Sequence, residues 1–153
     1  MLYGASSAHL LAALARNGDD TLYSLEIGRR PEEPAHEYFV PDELRERWRL
    51  SIGDSRRELP ALMERCAPVD MFYHDSLHTY DHMIWEFGTA LPYLAPGGLL
   101  ASDDVLNPTS VAGIFRPGPF HSFCDDRHIP FATFQNLGLA WQEPTATACE
   151  RAA

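Results

Sequence analysis

Short apolar segments alternate along the chain with segments whose apolar residues recur at helical spacing. Four of the short segments are bounded by turn residues and are typical of buried strands: residues 21–27, 48–52, 70–74 and 98–102. Between them, apolar residues recur at i, i+3, i+4 and i+7, as in Leu59, Leu62, Met63 and Cys66, which predicts amphipathic helices. Because parallel strands are joined by helical crossovers, the alternation predicts an α/β fold with a mainly parallel sheet and helices on both faces.

The ends of the chain carry separate signals. The first helix is predicted to begin at Ser6 or Ser7 as its N-cap and to end before Gly18. Residues 131–134 and 139–142 predict a closing hairpin, an antiparallel edge on the sheet. The proline-containing stretch ahead of the hairpin predicts a loop with one short helix.

Length and charge narrow the class of protein. The chain has 153 residues, 45% of them hydrophobic, which suits one domain spanning residues 1–153. Its formal net charge of −10 argues against a nucleic-acid partner or an anionic membrane surface. No apolar run approaches the roughly 20 residues of a membrane span, and the start lacks a basic signal-peptide region. The 3 cysteines form no CxxC pair, so we expect reduced thiols and a cytoplasmic location.

Carboxylates follow each predicted strand. Glu26, Asp54, Asp75 and the Asp103-Asp104 pair stand where the four strands end. In open α/β sheets, ligands bind beyond the carboxyl ends of the strands. A single carboxylate there is more often a helix cap or a solvated turn, but the coincidence at all four ends favours a binding site.

A small-residue turn opens the first predicted helix. The run from Gly4 to Ser7 would let a ligand approach backbone N–H groups at the helix N-terminus, with Ser6 among them. Glu26, at the end of the next strand, can accept hydrogen bonds from both hydroxyls of a ribose. This pairing suits an adenosine-containing cofactor, although the chain has no full GxGxxG motif.

The carboxylates after the third and fourth strands suggest a cation. Neighbouring parallel strands end side by side, so Asp75, Asp103 and Asp104 are expected to converge within metal-coordinating range. Their hard oxygen ligands favour Mg²⁺, Mn²⁺ or Ca²⁺ over zinc. The alternative is that Asp103 or Asp104 caps a following turn.

Three histidines are spaced four residues apart. On a single helix face His74, His78 and His82 could hold zinc, but His74 is predicted to end a strand, which breaks that geometry. His78, at the start of a helix, can titrate near neutral pH and take a proton from a substrate hydroxyl. The alternative is a structural His78 that contacts a carboxylate.

Four segments together resemble the class I S-adenosylmethionine-dependent methyltransferases, a Rossmann-like family. The similarity is to the small O-methyltransferases that include catechol and macrolide-sugar enzymes. The segments are YGASSAHLLAAL, LYSLEIG, RLSIGDSRREL and FYHDSLHTYDHMIWEFGTALPYLAPGGLLASDDV. The resemblance extends to about Val105, and the last segment is its most specific part.

The resemblance implies roles for individual residues. Gly4 and Ser6 match the turn on the methionine side of the cofactor, and Glu26 matches the ribose ligand. Asp54 and Ser55 match the segment beside the adenine ring.

In cation-dependent members of this family, one Asp follows the fourth strand and an Asp-Asp or Asp-Asn pair follows the fifth. Asp75, Asp103 and Asp104 match these metal ligands, and Asp75 is also expected among the cofactor-binding residues. His78 stands where such enzymes carry a general base. The implied reaction is methyl transfer from S-adenosylmethionine to a hydroxyl of a small molecule, assisted by Mg²⁺ or another divalent cation.

The family's first strand should precede the segment YGASS, so we expect the domain to be N-terminally incomplete. An open sheet centre would favour a homo-oligomer. The alternative function is a truncated or degenerate homologue that acts as a cofactor-binding or partner subunit without catalysis. A metal-dependent hydrolase and a nicotinamide dehydrogenase are disfavoured by the missing zinc-helix context and the missing GxGxxG.

Overall fold

The computed structural model describes residues 4–18, 20–28, 38–105 and 118–143. The chain divides into two compact units, Met1–Leu59 and Pro60–Ala153. The division falls inside helix α2, Ser55–Cys66. Each unit is described by itself.

The first unit pairs two strands in parallel. Its elements before α2 are α1 (Ala5–Asn17), β1 (Leu22–Glu26), a 3-10 helix (Asp42–Arg47) and β2 (Trp48–Ile52). The register places Leu22 opposite Trp48 and Glu26 opposite Ile52. The Trp48 indole N–H donates to the Ser24 hydroxyl over 2.9 Å, which gives the buried serine a partner.

Helix α1 begins earlier than a serine cap would place it. Its N-cap is Gly4 in the left-handed region at φ 78°, with no side-chain cap, and Ala8 N–H donates to Gly4 O over 2.9 Å. The predicted cap at Ser6 or Ser7 is therefore wrong, because both serines already lie within the helix. The predicted end is confirmed, since Gly18 N–H donates to Leu14 O over 3.0 Å.

The second unit is built on a four-stranded sheet. After α2, its elements are β3 (Val69–His74), α3 (Tyr80–Ala90), a 3-10 helix (Leu91–Tyr93), β4 (Leu94–Ser102), α4 (Pro119–Asp126), β5 (Phe131–Phe134) and β6 (Leu137–Trp141). The strand order is β3-β4-β6-β5. Strands β3 and β4 are parallel, and His74 lies opposite Ser102. Strand β6 runs antiparallel to both β4 and β5.

These elements confirm the α/β, Rossmann-like fold class with antiparallel strands near the C-terminus. The predicted hairpin forms. Of its two strands, β5 lies at an edge of the sheet, whereas β6 pairs with a strand on each side. The predicted short helix is α4. Residues 107–117 of the predicted loop, which spans 107–128, lie outside the described residues.

Aromatic side chains fill the core of the second unit. Phe87, Phe120 and Phe123 each expose 0% of their surface and pack with Met83 and Leu100 among others. Burial therefore places Phe120 and Phe123 in the core of this unit. No helix in the described part of the chain is long and apolar enough to cross a membrane.

Candidate active site

The turn before α1 requires glycine. A Cβ on Gly4 would lie 3.2 Å from Val40 Cγ2 and 3.4 Å from Tyr38 Cβ, and the φ of 78° is one that other residues adopt only with strain. Ser6 is half-buried in the first turn of the helix. Glycine is therefore required here by its positive φ and by the packing of Val40 and Tyr38 against it.

Glu26 ends β1 and keeps one carboxylate oxygen unused. Its carbonyl accepts from Gly53 N–H over 2.8 Å, which fixes the end of β1 beside the end of β2. Its Oε2 atom is buried and has no hydrogen-bond partner among the described residues. A buried acceptor without a partner is costly, so this oxygen is suited to accept a hydrogen bond from a ligand.

Asp54 acts locally as a helix cap. Its Oδ1 accepts from Arg56 N–H over 2.9 Å, and its carbonyl accepts from the N–H groups of Arg57 and Glu58 over 2.9 and 3.0 Å. Ser55 is the first residue of α2. The contacts of Asp54 are therefore those of a helix-capping residue, which is the alternative that the sequence left open. Asp54 and Ser55 still place two polar side chains directly after β2.

In the second unit, two predicted site residues stand side by side. The parallel register places His74 opposite Ser102, and Asp103 N–H donates to His74 O over 3.0 Å. Asp75 and Asp103 therefore follow directly on neighbouring strand ends, as the sequence predicted.

Asp104 is turned toward two other side chains. It has a φ of 54°, and its Oδ1 accepts a hydrogen bond from the Asn136 amide. Its Oδ2 lies 3.3 Å from His78 Nδ1. Val105 N–H also donates to Asn136 O over 3.1 Å, so the turn between β5 and β6 holds the backbone after Asp104. Asn136 was missed by sequence reasoning, because the contact depends on the pairing of β6 with β4.

Among the described residues, the His78 ring is held by a contact at one of its two nitrogens. With Nδ1 beside Asp104, Nε2 is buried and has no hydrogen-bond partner among the described residues. A neutral imidazole whose Nδ1–H faces a carboxylate keeps a lone pair on Nε2. The geometry thus supports both interpretations of His78: it contacts a carboxylate, and it retains a nitrogen that can accept a proton.

The carboxylates share one electrostatic environment at Tyr73. Burial, and then the negative charges of Asp75, Asp103 and Asp104, raise the pKa of the Tyr73 phenol from 10.0 to about 12. The three charges act on one phenol, so this end of the sheet is strongly negative. Such a field favours cations and protonated groups.

The three carboxylates do not form a ready-made metal site. Among residues 4–18, 20–28, 38–105 and 118–143, no group of three His, Cys, Asp or Glu side chains could hold a metal ion. Both oxygens of Asp104 already contact other side chains, Oδ1 the Asn136 amide and Oδ2 His78. His74, His78 and His82 do not form a zinc site either, and His74 ends a strand.

A buried network on α3 was also missed. Glu86 Oε2 accepts from His74 Nδ1 over 2.7 Å and from the Ser76 hydroxyl over 2.9 Å. Its Oε1 lies 2.8 Å from His82 Nε2. The sequence signal was available, since Glu86 interrupts the apolar face of α3 four residues after His82.

Residues 1–105 match the family described as a methyltransferase domain. The chain belongs to this methyltransferase family. The resemblance to class I S-adenosylmethionine-dependent enzymes is thereby confirmed at the level of the family, and the match ends at Val105, directly after the Asp103-Asp104 pair. No match was found among curated proteins.

Solved methyltransferases share the fold. The O-methyltransferase TomG from Streptomyces achromogenes, solved in complex with SAM, is 21% identical with a TM-score of 0.66, and the match covers 92% of this chain and 69% of TomG. CalS11, a TDP-rhamnose 3'-O-methyltransferase, is 15% identical with a TM-score of 0.64 over 92% of this chain and 68% of its own. These likenesses establish the fold of the methyltransferase domain.

The third structure is MycE from the mycinamycin biosynthetic pathway, solved in complex with Mg and SAH. It is 16% identical with a TM-score of 0.60, and the match covers 81% of this chain. The methyltransferase domain described here spans only 37% of the MycE chain.

Proposed function

We propose that this methyltransferase domain transfers a methyl group from S-adenosylmethionine to a hydroxyl of a small molecule. The observation that carries the proposal is the buried Oε2 of Glu26, which lacks a partner among the described residues. It lies at the end of β1, where the family's ribose ligand is expected. TomG, a structural neighbour, is an O-methyltransferase in complex with SAM.

The residues of the first unit fit an adenosine-containing cofactor. Glu26 would accept hydrogen bonds from the ribose hydroxyls, while the Gly4 turn, together with Ser6, would face the methionine part. Asp54 and Ser55 would lie beside the adenine ring. Asp75 is a further cofactor ligand in this proposal. When bound, S-adenosylmethionine supplies an electrophilic methyl group on its sulfonium.

His78 is proposed to take the proton from the acceptor hydroxyl. Asp104 would hold the imidazole through Nδ1, so Nε2 is the atom that receives the proton as the acceptor oxygen forms its bond to the methyl carbon. The carbon–sulfur bond breaks in the same step, and S-adenosylhomocysteine leaves. Holding the two reacting atoms in line supplies much of the acceleration, and proton removal by a placed base adds about 10²–10⁴-fold.

A divalent cation is part of the proposal, held by Asp75 and Asp103 with Asp104. Their shared negative field at Tyr73 and the Mg in the MycE complex support it. Asp104 would have to give up a present contact, so no step above is assigned to the cation.

Electron paramagnetic resonance of added Mn²⁺ tests the site directly. Asp103→Asn should release bound Mn²⁺, and unchanged binding would remove Asp103 from the site.

The acceptor class is a hydroxylated small molecule. CalS11 is a TDP-rhamnose 3'-O-methyltransferase, and MycE was solved with mycinamycin VI, so structural neighbours act on or bind compounds of this kind. The net charge of −10 favours neutral or cationic acceptors over anionic polymers.

The test is transfer of a labelled methyl group from S-adenosylmethionine to a panel of sugars and catechols. Label recovered on an acceptor oxygen, with an equal amount of S-adenosylhomocysteine, is expected. Tight cofactor binding with no transfer to any acceptor would contradict the catalytic proposal and favour the second candidate, a non-catalytic homologue that binds the cofactor.

A further inference from the structure

A single carboxylate oxygen contacts the residues on both sides of Asp75. Glu86 Oε2 accepts from His74 Nδ1 over 2.7 Å and from Ser76 Oγ over 2.9 Å. His74 is the last residue of β3 and Ser76 lies in the turn that follows it. Glu86 of α3 therefore holds the residue before Asp75 and the residue after it by hydrogen bonds.

The Glu86 carboxylate and its His74 partner are buried. The side chains of His74 and Glu86 expose 0% and 4% of their surface. A buried carboxylate is tolerated only when donors surround it, and here Ser76 Oγ and two imidazoles point at its two oxygens, the second being His82 Nε2 at 2.8 Å. Within the second unit, this links β3, the following turn and α3 through one side chain.

Packing adds to the same arrangement. The His74 ring contacts the Phe87 ring edge-on, with centroids 5.3 Å apart, and it contacts the His78 ring at the same centroid distance. Because His74 touches both Glu86 and His78, a change at Glu86 reaches the two ends of the segment that carries Asp75 and His78.

We propose that Glu86 is a positioning residue for the methyl-transfer site: it fixes the turn that carries Asp75 and His78. This inference rests on the proposed function. It predicts that losing the acceptor oxygens of Glu86 loosens the turn and weakens cofactor binding through Asp75, while the rest of the fold persists.

The variants separate positioning from general destabilisation. Glu86→Met keeps the length of the side chain but accepts no hydrogen bond. Glu86→Gln keeps one oxygen for His74 and Ser76, and its amide can donate to His82 once that ring changes tautomer. Met83→Ala is the control, since Met83 is a buried residue of the same helix, 1% exposed, with no part in these hydrogen bonds.

Two measurements decide the matter. The rate of amide hydrogen exchange in the peptide covering residues 75–79 is corrected for the global stability of each variant. This rate should rise about 10-fold in Glu86→Met and stay unchanged in Met83→Ala. The affinity for S-adenosylhomocysteine should fall about 10-fold in Glu86→Met, a loss equivalent to one buried hydrogen bond or more, and recover to within about 3-fold in Glu86→Gln.

The double variant identifies the route of the effect. In an Asp75→Asn background, Glu86→Met should cause no further loss of affinity, because Asp75 no longer contributes. An equal loss in both backgrounds, or exchange that matches Met83→Ala, would overturn the positioning role. If the unmodified protein fails to bind S-adenosylhomocysteine, the proposed function fails, and the exchange measurement still decides whether Glu86 fixes the turn.

Discussion

His78 Nδ1 lies 3.3 Å from Asp104 Oδ2, and this contact sets which ring nitrogen faces away from the carboxylate. Asp104 is held in turn at its other oxygen by the Asn136 amide. Asn136 in the turn between β5 and β6 thus contacts Asp104 after β4, and Asp104 contacts His78 before α3. In this arrangement the carboxylate holds the imidazole by one ring nitrogen.

Replacing His78 by Ala should lower turnover by roughly 10²-fold while cofactor affinity stays within about 2-fold, because the proposed role of the ring is to take the proton and not to bind the cofactor. Turnover and S-adenosylhomocysteine affinity, measured on the same preparation, check this. His9→Ala, which removes an exposed histidine of α1, is the matched control. Full turnover by the His78 variant would assign the proton to another group.

Replacing Asn136 by Ala removes the amide donor to Asp104. We expect about 1 kcal/mol of lost stability and a fall in turnover of roughly 10-fold, since Asp104 is then free to leave His78. Chemical denaturation and steady-state turnover measure the two effects. Thr133→Ala, on the exposed side of the same hairpin, should change neither, and an equal loss of turnover in that variant would contradict the argument.

Tyr73 should make stability fall in alkaline solution. Its pKa is about 12 in the folded chain against an ordinary 10.0, so between these values the unfolded chain loses a proton that the folded chain keeps. The free energy of unfolding contributed by this group is therefore constant below pH 10 and decreases as the pH rises toward 12.

Phenolate absorbance, taken as the difference between the natural chain and Tyr73→Phe, measures this pKa. Asp75→Asn should lower it, because Asp75 is the largest of the charge effects after burial. A Tyr73 pKa near 10 in the natural chain would show that the carboxylates do not act together at this position.

Replacing Gly4 by Ala should destabilise the chain by about 1–2 kcal/mol from the left-handed backbone alone, with an added cost from the 3.2 Å contact to Val40. Gly97→Ala is the control for the backbone cost, since its φ is 81° and no atom of the described residues lies within 4 Å of its Cβ position. Thermal unfolding of both variants isolates the contact. Equal losses in the two would show that Val40 yields without cost.

The pattern of apolar residues was sufficient to predict most helices and strands and the residues at the strand ends. Local periodicity placed β1 to β4 and α3, and the rule that ligands bind at the carboxyl ends of strands pointed to Glu26 and Asp103. Both predictions are local, because each needs only a strand and the residue at its carboxyl end.

What sequence reasoning missed depends on partners far apart in the chain. Asn136 reaches Asp104 only because β6 enters the sheet beside β4. Glu86 could have been noticed, since a carboxylate on an otherwise apolar helix face needs donors, but its partners His74 and Ser76 are set by the packing of α3 against β3. The serine cap failed because Gly4 starts the helix through backbone geometry alone.

The central claim is that Glu26 binds the ribose of S-adenosylmethionine, and calorimetric titration with S-adenosylhomocysteine tests it most directly. The natural chain should bind one equivalent, Glu26→Gln should bind at least about 10-fold more weakly, and Glu43→Gln, an exposed control in the same unit, should bind unchanged. Absence of binding by the folded natural chain, or equal affinity in Glu26→Gln, would contradict the account.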